Sequence, residues 1–272
     1  MLELHCHTTY SDGTLTPTQL VKAAASRGVR ALAITDHDTV SGWSEAIATA
    51  PAYDIEIVPG VELSTVHNGR SLHILGFYPD SNLLNPPLQE RIAGRQRRAA
   101  KIAAKLADLG YPIQLPQLGD GMAPGRPHIA SALVKAGHAQ SSREAFDRWL
   151  HDNGPAYEHY EKFSIVDGIQ LLRESQAVPV WAHPFLFRGG SVEEVLPTLV
   201  EAGLMGLEVY HPSHSPKQVL KLKAWCKEYN LIATGGSDYH GPQSSGREET
   251  HLNQLNVPLL LLDSLKAAVK RV

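Results

Sequence analysis

Apolar residues in this chain collect in short runs rather than long ones: LELH at 2–5, ALAITD at 31–36, IEIVPGVEL at 55–63, LHILGFY at 72–78, VPVWAH at 178–183, GLEVYH at 206–211 and LIATGGSD at 231–238. Each is rich in β-formers or small apolar residues and is bounded by turn residues, which predicts seven buried strands. Between several of them the pattern switches to helix, with starts at TPTQ (16–19), SVEE (191–194) and SPKQ (215–218). In each, a Ser or Thr stands three residues before Gln or Glu, so the two side chains can satisfy each other's exposed N–H groups. Pro197 falls inside the helix expected over 192–202 and predicts a kink there. Strands alternating with helices predict an α/β fold with a largely parallel sheet.

The fourth and fifth runs are separated by residues 79–177, whose middle reads as helix and loop. Residues 86–160 are expected to form an inserted helical subdomain, leaving 1–85 and 161–272 to build the sheet. Within the insertion, RIAGRQRRAAKIAAKLADLG spaces Arg91, Arg95, Arg98, Lys101 and Lys105 by three or four, along one helical face. Ile92, Ala99, Ile102, Leu106 and Leu109 fall near the opposite side, and Arg97 adds a further cation. This basic face reads either as a track for a polyanion backbone or as a solvated surface.

With 272 residues and 43% hydrophobic content the chain can bury a sizeable core. A net charge of −3 supplies no global attraction to nucleic acid or an anionic membrane. Two cysteines, Cys6 and Cys226, are too few for a disulfide framework or a thiolate cluster. With Glu3 and the His5/His7 pair so near the start no signal peptide is expected, and no apolar run nears the ~20 residues of a membrane span. A cytoplasmic protein with no membrane association and no obligate protein partner is the expectation.

Histidine changes the picture, with fourteen in the chain. In a strand, residues two apart face the same side, so His5 and His7 point together and Cys6 away. They are either a pair of metal ligands or ordinary packed histidines. Other strand ends carry similar residues: His37 between Asp36 and Asp38, Glu62 in GVEL, His183 in WAHP, and Asp238 and His240 in GSDYH. Gathering at strand ends is what the C-terminal face of a parallel barrel would present. His73 lies near the beginning of its run, so either that strand is antiparallel or His73 is packed. Asp12, in SDG, reads alone as a turn residue. Asp36 and Asp38 either orient ligand imidazoles or satisfy turns.

Taken in order, HCHTTYSDG, TDHD, GVEL, LHILGFY, WAHP and GSDYH resemble the polymerase and histidinol phosphatase (PHP) family. The resemblance implies a distorted (β/α)7 barrel of PHP type, formed by 1–85 and 161–272, with 86–160 as a substrate-recognition subdomain. It implies three divalent metal ions: one held by His5, His7, Glu62 and Asp238, a second by Glu62, His73 and His183, a third by Asp12, His37 and His240. Imidazole and carboxylate without thiolate suit Mn²⁺, with Zn²⁺ or Fe²⁺ as alternatives. Asp12, His37, Glu62, His183, Asp238 and His240 would be the catalytic set. Such clusters activate a water for attack on a phosphate ester, and no GxSxG, CxxC or phosphate-loop motif competes.

GRPHIASALVKAG (125–137) starts a helix at which Arg126 and His128 either bind a second phosphate or form an ordinary ion pair and cap. In VYHPSH, Tyr210 and His211 are candidates for contacting the substrate, while His214 reads as solvated. GRPHIA with SDGTLTP resembles the branch containing 3′,5′-nucleoside bisphosphate phosphatases and 5′-to-3′ exoribonucleases. The implied reaction removes the 3′-phosphate of a small nucleotide such as pAp, with Arg126 reading the 5′-phosphate. Trimming of short 5′-phosphorylated RNA, histidinol phosphate hydrolysis and a non-catalytic metal-stabilised scaffold are the alternatives.

Overall fold

The computed structural model describes residues 1–119, 121–159, 163–242 and 250–272. Strands β1 (Leu2–Glu3), β2 (Ala31–Ile34), β3 (Glu56–His67), β4 (Arg70–Phe77), β5 (Val178–Trp181), β6 (Gly206–Tyr210) and β7 (Ile232–Gly235) form one sheet in chain order. β1, β2 and β3 are parallel, as are β5, β6 and β7. β4 alone runs antiparallel, to both β3 and β5. Asn68 and Gly69 turn β3 into β4 with φ of 49° and 72°. Positive φ at both central residues is the requirement of the tight hairpin turn that Asn-Gly favours.

Beyond the strand ends, Leu4 N donates to Gly235 O (3.1 Å), His7 N to Tyr239 O (2.9 Å) and Tyr239 N to His5 O (3.3 Å). These bonds link the two edges and nearly close the sheet into a seven-stranded barrel surrounded by helices.

The helices are α1 (Pro17–Ser26), α2 (Trp43–Thr49), α3 (Ser81–Asp108), α4 (Arg126–Lys135), α5 (Ser142–Ala145), α6 (Ile165–Glu174), α7 (Val192–Glu201), α8 (Pro216–Glu228) and α9 (Leu260–Val269). The capping boxes expected at Thr16, Ser191 and Ser215 are all formed. α7 contains Pro197 and continues beyond it to Glu201. α3 begins at Ser81, ahead of residue 86, because the Asp80 side chain caps it by accepting from Asn82 N at 2.8 Å. Among the described residues no helix is long and apolar enough to cross a membrane.

Strand alternation sorts the interior. Val61, Leu63, Leu72, Ile74, Leu207 and Val209 join one apolar cluster with α6 and α7, so Glu62, His73 and Glu208 point to the other side of the sheet. Ala99, Ile102, Leu106, Ile129, Leu133 and Trp149 form a separate cluster between α3, α4 and the segment that follows. Each fully buried Leu or Ile there contributes about 1.5–3 kcal/mol.

Candidate metal centre

Alternation carries past the end of β1: Leu4 and Cys6 enter apolar clusters, while His5 and His7 turn the other way, fully buried. They meet Glu62 from β3. Glu62 Oε2 lies 3.2 Å from His5 Nε2, His7 Nε2 and His37 Nδ1 alike. Its other oxygen, Oε1, lies 2.8 Å from His73 Nδ1 and 3.2 Å from His183 Nε2. The antiparallel course of β4 is what delivers His73 to this end of the barrel. Asp238 Oδ1 is 3.2 Å from His7 Nε2 and 3.4 Å from His5 Nε2. Asp12 is no mere turn residue: its Oδ1 stands 3.1 Å from His240 Nε2, and its Oδ2 3.8 Å from His37 Nε2.

Among the described residues, three sets of donor atoms lie within 4.8 Å of one another: His5, His7, Glu62 and Asp238; His7, Asp12, His37 and His240; and His37, Glu62 and His73. The first matches the grouping that the resemblance implies. The second includes His7 as well as the three expected residues. In the third, His37 stands where His183 was expected, although His183 remains against Glu62 Oε1.

Neighbouring groups fix which imidazole nitrogen is presented. The Asp238 carbonyl can only accept, so His240 Nδ1, 2.7 Å away, carries the proton and Nε2 keeps a lone pair. Ser11 Oγ donates to Asp36 Oδ1 at 2.6 Å and is thereby left to accept from His7 Nδ1 at 3.3 Å. Asp36 thus orients His7 through Ser11, and it anchors the loop by accepting from Thr8 N and Oγ1 at 2.7 and 2.6 Å. Asp38 accepts from Ser64 N (3.0 Å) and Arg95 Nη1 (2.8 Å).

The charges suit cations. Burial opposes ionisation of Glu62, yet His37, His73 and His5 around it hold its carboxyl well below the usual range. Burial likewise opposes ionisation of Asp12, and His240 and His37 outweigh it. Although burial disfavours its charged form, His7 is pushed up to about 9 by Asp238 and Glu62. His5 Nε2, His7 Nε2 and His37 Nδ1 are buried without a well-directed hydrogen bond. Lone pairs and carboxylate oxygens converging without saturating one another form a donor set that fits divalent cations.

Two cavities open on this cluster, of about 300 and 600 Å³. His37, His73, His183 and Leu186 line both. The first is also lined by Arg70, Arg126 and Arg188, and by the buried Arg95. Arg126 Nη1 is tied to Asp152 Oδ1 (2.8 Å) and Leu150 O (3.0 Å), and His128 Nδ1 caps α4 by accepting from Gly125 N at 3.1 Å. His211 lines the second cavity, with Nε2 3.7 Å from Asp238 Oδ2. Tyr210 lines neither. A register shift between Glu208 and Tyr210 breaks the alternation of β6, and the Tyr210 ring packs beside apolar clusters with Lys223 Nζ 5.0 Å from its centroid. His214 is buried rather than solvated, with Nδ1 3.0 Å from Val209 O.

The arginines of the basic stripe of α3, Arg91, Arg95 and Arg98, face inward, whereas Lys101 and Lys105 at its far end remain 61% and 42% exposed. Arg95 and Arg98 are 7% and 5% exposed. Arg95 reaches Asp38 and Ser64 Oγ, Arg98 Nε donates to Glu158 O, and Lys105 pairs with Glu158 at 2.8 Å. Helical spacing revealed the stripe but could not reveal the acids that the rest of the fold sets against it. Glu208, absent from the residues expected at the site, is 0% exposed and hydrogen-bonded within the centre. An acid between Leu207 and Val209 in a buried strand was its only signal.

A family model described as PHP domain matches residues 3–114. Over 247 residues the chain is 35% identical to a 5′-3′ exoribonuclease of Haemophilus influenzae, covering 88% of this chain and 90% of that protein. It is 31% identical over 262 residues to a 3′,5′-nucleoside bisphosphate phosphatase of Chromobacterium violaceum, covering 93% and 92%. A solved structure from Bifidobacterium adolescentis, described as a metal-dependent phosphoesterase, is similar with a TM-score of 0.88 at 30% identity, over 98% of this chain and 95% of that one.

Proposed function

The chain belongs to the PHP family of metal-dependent phosphoesterases, and within that family we propose that it hydrolyses the 3′-phosphate of small 3′,5′-nucleoside bisphosphates. One observation carries the reading: the cavity that touches Asp12, His37, His73 and His183 is the same one that exposes Arg70, Arg126 and Arg188. A substrate with one phosphate at the donor cluster and a second anion a short distance away suits that arrangement.

In this reading His5, His7, Glu62 and Asp238 hold one divalent ion, Glu62, His73 and His183 a second, and Asp12, His37 and His240 a third, with Mn²⁺ favoured. Divalent ions so placed supply Lewis acidity and a water acidic enough to be deprotonated near neutral pH. The protein's own groups do the rest. Arg126, held at the start of α4 by Asp152, reads the 5′-phosphate, and residues 86–160 form the recognition subdomain around it. On the far side, Ser213 N donates to His211 Nδ1 at 3.2 Å. That nitrogen is therefore the acceptor and Nε2 carries the proton, which points toward Asp238 Oδ2 at 3.7 Å and helps to orient that carboxylate.

A second reading, 5′-to-3′ trimming of short RNA, has its own support. The two cavities share His37, His73, His183 and Leu186, an arrangement that suits a longer substrate lying across the donor cluster, and the Haemophilus relative carries that activity in its name. Phosphate release from pAp, measured beside mononucleotide release from a short 5′-phosphorylated RNA, separates them. Turnover of pAp with the RNA left intact supports the bisphosphatase; rapid RNA shortening with pAp untouched overturns it.

A further inference from the structure

Glu208 sits in the middle of β6 with 0% of its surface exposed. A carboxylate so placed is costly unless both oxygens are engaged. Both are. Oε1 lies 3.0 Å from His5 Nδ1, and Oε2 accepts from the backbone N of His183 at 2.7 Å. The two partners belong to different parts of the centre: His5 Nε2 faces Glu62 Oε2 and Asp238, while His183 Nε2 faces Glu62 Oε1.

The two contacts do different work. An ionised carboxylate only accepts, so His5 Nδ1 must carry the proton and Nε2 must keep its lone pair. At His183 the backbone itself is held: φ is 34° and ψ 60°, a left-handed conformation that costs a non-glycine residue of order 1–3 kcal/mol. The hydrogen bond from its N–H helps to fix that turn, and with it the direction in which the ring leaves β5.

We propose that Glu208 is a positioning residue that sets two histidines of the metal centre at once, His5 through its tautomer and His183 through its backbone. The proposal rests on the metal-centre reading above. It makes a sharp prediction for Glu208→Gln, a substitution of nearly unchanged size. The His183 N–H must have an acceptor, which claims the new amide oxygen. The amide NH₂ then faces His5 Nδ1, turns it into an acceptor, and shifts the proton onto Nε2, where it blocks a cation.

Metal-free wild type and Glu208→Gln are titrated with Mn²⁺ by calorimetry, and the metal-free proteins are melted by circular dichroism. The expected result is a class of Mn²⁺ sites weakened about 10–100-fold, the range seen when a partner of a ligating histidine is lost, with the melting of the metal-free protein retained. Equal Mn²⁺ affinity in the two proteins overturns the proposal, as does a loss of affinity that merely follows a loss of metal-free stability. Wild type that binds no Mn²⁺, Zn²⁺ or Co²⁺ overturns the metal-centre reading instead. Should Glu208→Gln fail to fold, Glu208→Asp keeps an acceptor-only group too short to reach both partners. It too is expected to weaken Mn²⁺ binding, and wild-type affinity in that variant counts against the proposal.

Discussion

Glu62 and His73 stand diagonally on one face of the β3–β4 ladder: Glu62 pairs with Leu75 and His73 with Ser64, and Oε1 and Nδ1 are 2.8 Å apart. The other Glu62 oxygen faces three further imidazoles. A residue shared between donor sets should cost more than one ion when removed. Glu62→Ala is expected to lose more metal per chain than Asp12→Ala, measured by inductively coupled plasma analysis. Its phosphoesterase activity should fall by more than about 100-fold, since losing even an outer partner of a ligand can cost that much.

Arg126 has one guanidinium nitrogen bound to Asp152 and Leu150 O while its side chain lines the cavity beside the donor cluster. Asp152 holds the group in place without enclosing it. Hydrogen bonds to a charged group contribute about 1.5–3 kcal/mol, so Arg126→Ala should lower kcat/KM for a 3′,5′-bisphosphate by about 10–100-fold. Hydrolysis of a simple aryl phosphate, which has no second anion, should change little. Equal losses on both substrates would leave Arg126 without a selective role.

The residues of the centre were legible because they sit at strand ends, where a period of two and a change to turn residues mark both position and facing. Asp12 and His73 needed more. Asp12 joins only because residues 8 to 13 fold back, with Ser11 N and Gly13 N both donating to Thr8 O. For His73 a local signal did exist, since Asn68-Gly69 between two apolar runs marks a hairpin and therefore an antiparallel strand. Tyr210 was misplaced by a register shift that alternation cannot foresee. The arginines of α3 were visible as a stripe, but their partners Asp38 and Glu158 are distant in sequence, so their inward course was not.

Asp38 is fully buried and depends on those arginines. Burial opposes its ionisation, and Arg91 and Arg95 hold its carboxyl below the usual range. Removing one partner of a buried pair costs about 3–5 kcal/mol because a charge is left uncompensated. Arg91 Nε remains 3.7 Å from Asp38, so Arg95→Met should fall near the lower end, about 3 kcal/mol in urea unfolding. Arg143 pairs with Asp147 on the surface at 4.0 Å, 87% and 73% exposed. Arg143→Ala should leave the urea midpoint unchanged.

His214 gives the stability an acid limb. Burial pushes it down to about 4, with the nearby His211 acting in the same direction and the Val209 carbonyl opposing. The folded state holds the ring neutral, whereas the unfolded chain protonates it near pH 6.5. As pH falls below about 6.5 the unfolded state takes up the proton first, so stability declines until about pH 4 and then levels. The full effect is on the order of 3 kcal/mol. Metal-free wild type and His214→Leu, unfolded in urea from pH 7 to pH 4, should differ in slope across that window. Parallel slopes would mean that His214 titrates normally in the folded protein.

Gly236 is where β7 passes against the chain that carries His5. A Cβ at this position would lie 2.7 Å from His5 Cβ and 3.0 Å from His5 Cα, closer than packed carbons approach. Gly236 N also donates to Tyr210 O at 3.0 Å, so the segment cannot retreat without breaking a bond of the barrel. Gly236→Ala must therefore push the end of β1 away, and His5 moves with it. Overpacking of this kind costs about 1–3 kcal/mol, and the displaced imidazole should weaken Mn²⁺ binding as well. Gly119→Ala is the contrast, because among the described residues its Cβ would meet only the Met122 sulfur at 3.3 Å, which can swing aside. Calorimetric Mn²⁺ titration of both variants checks the argument: affinity should fall in Gly236→Ala and hold in Gly119→Ala, and wild-type affinity in the first would mean that His5 keeps its place despite the added carbon.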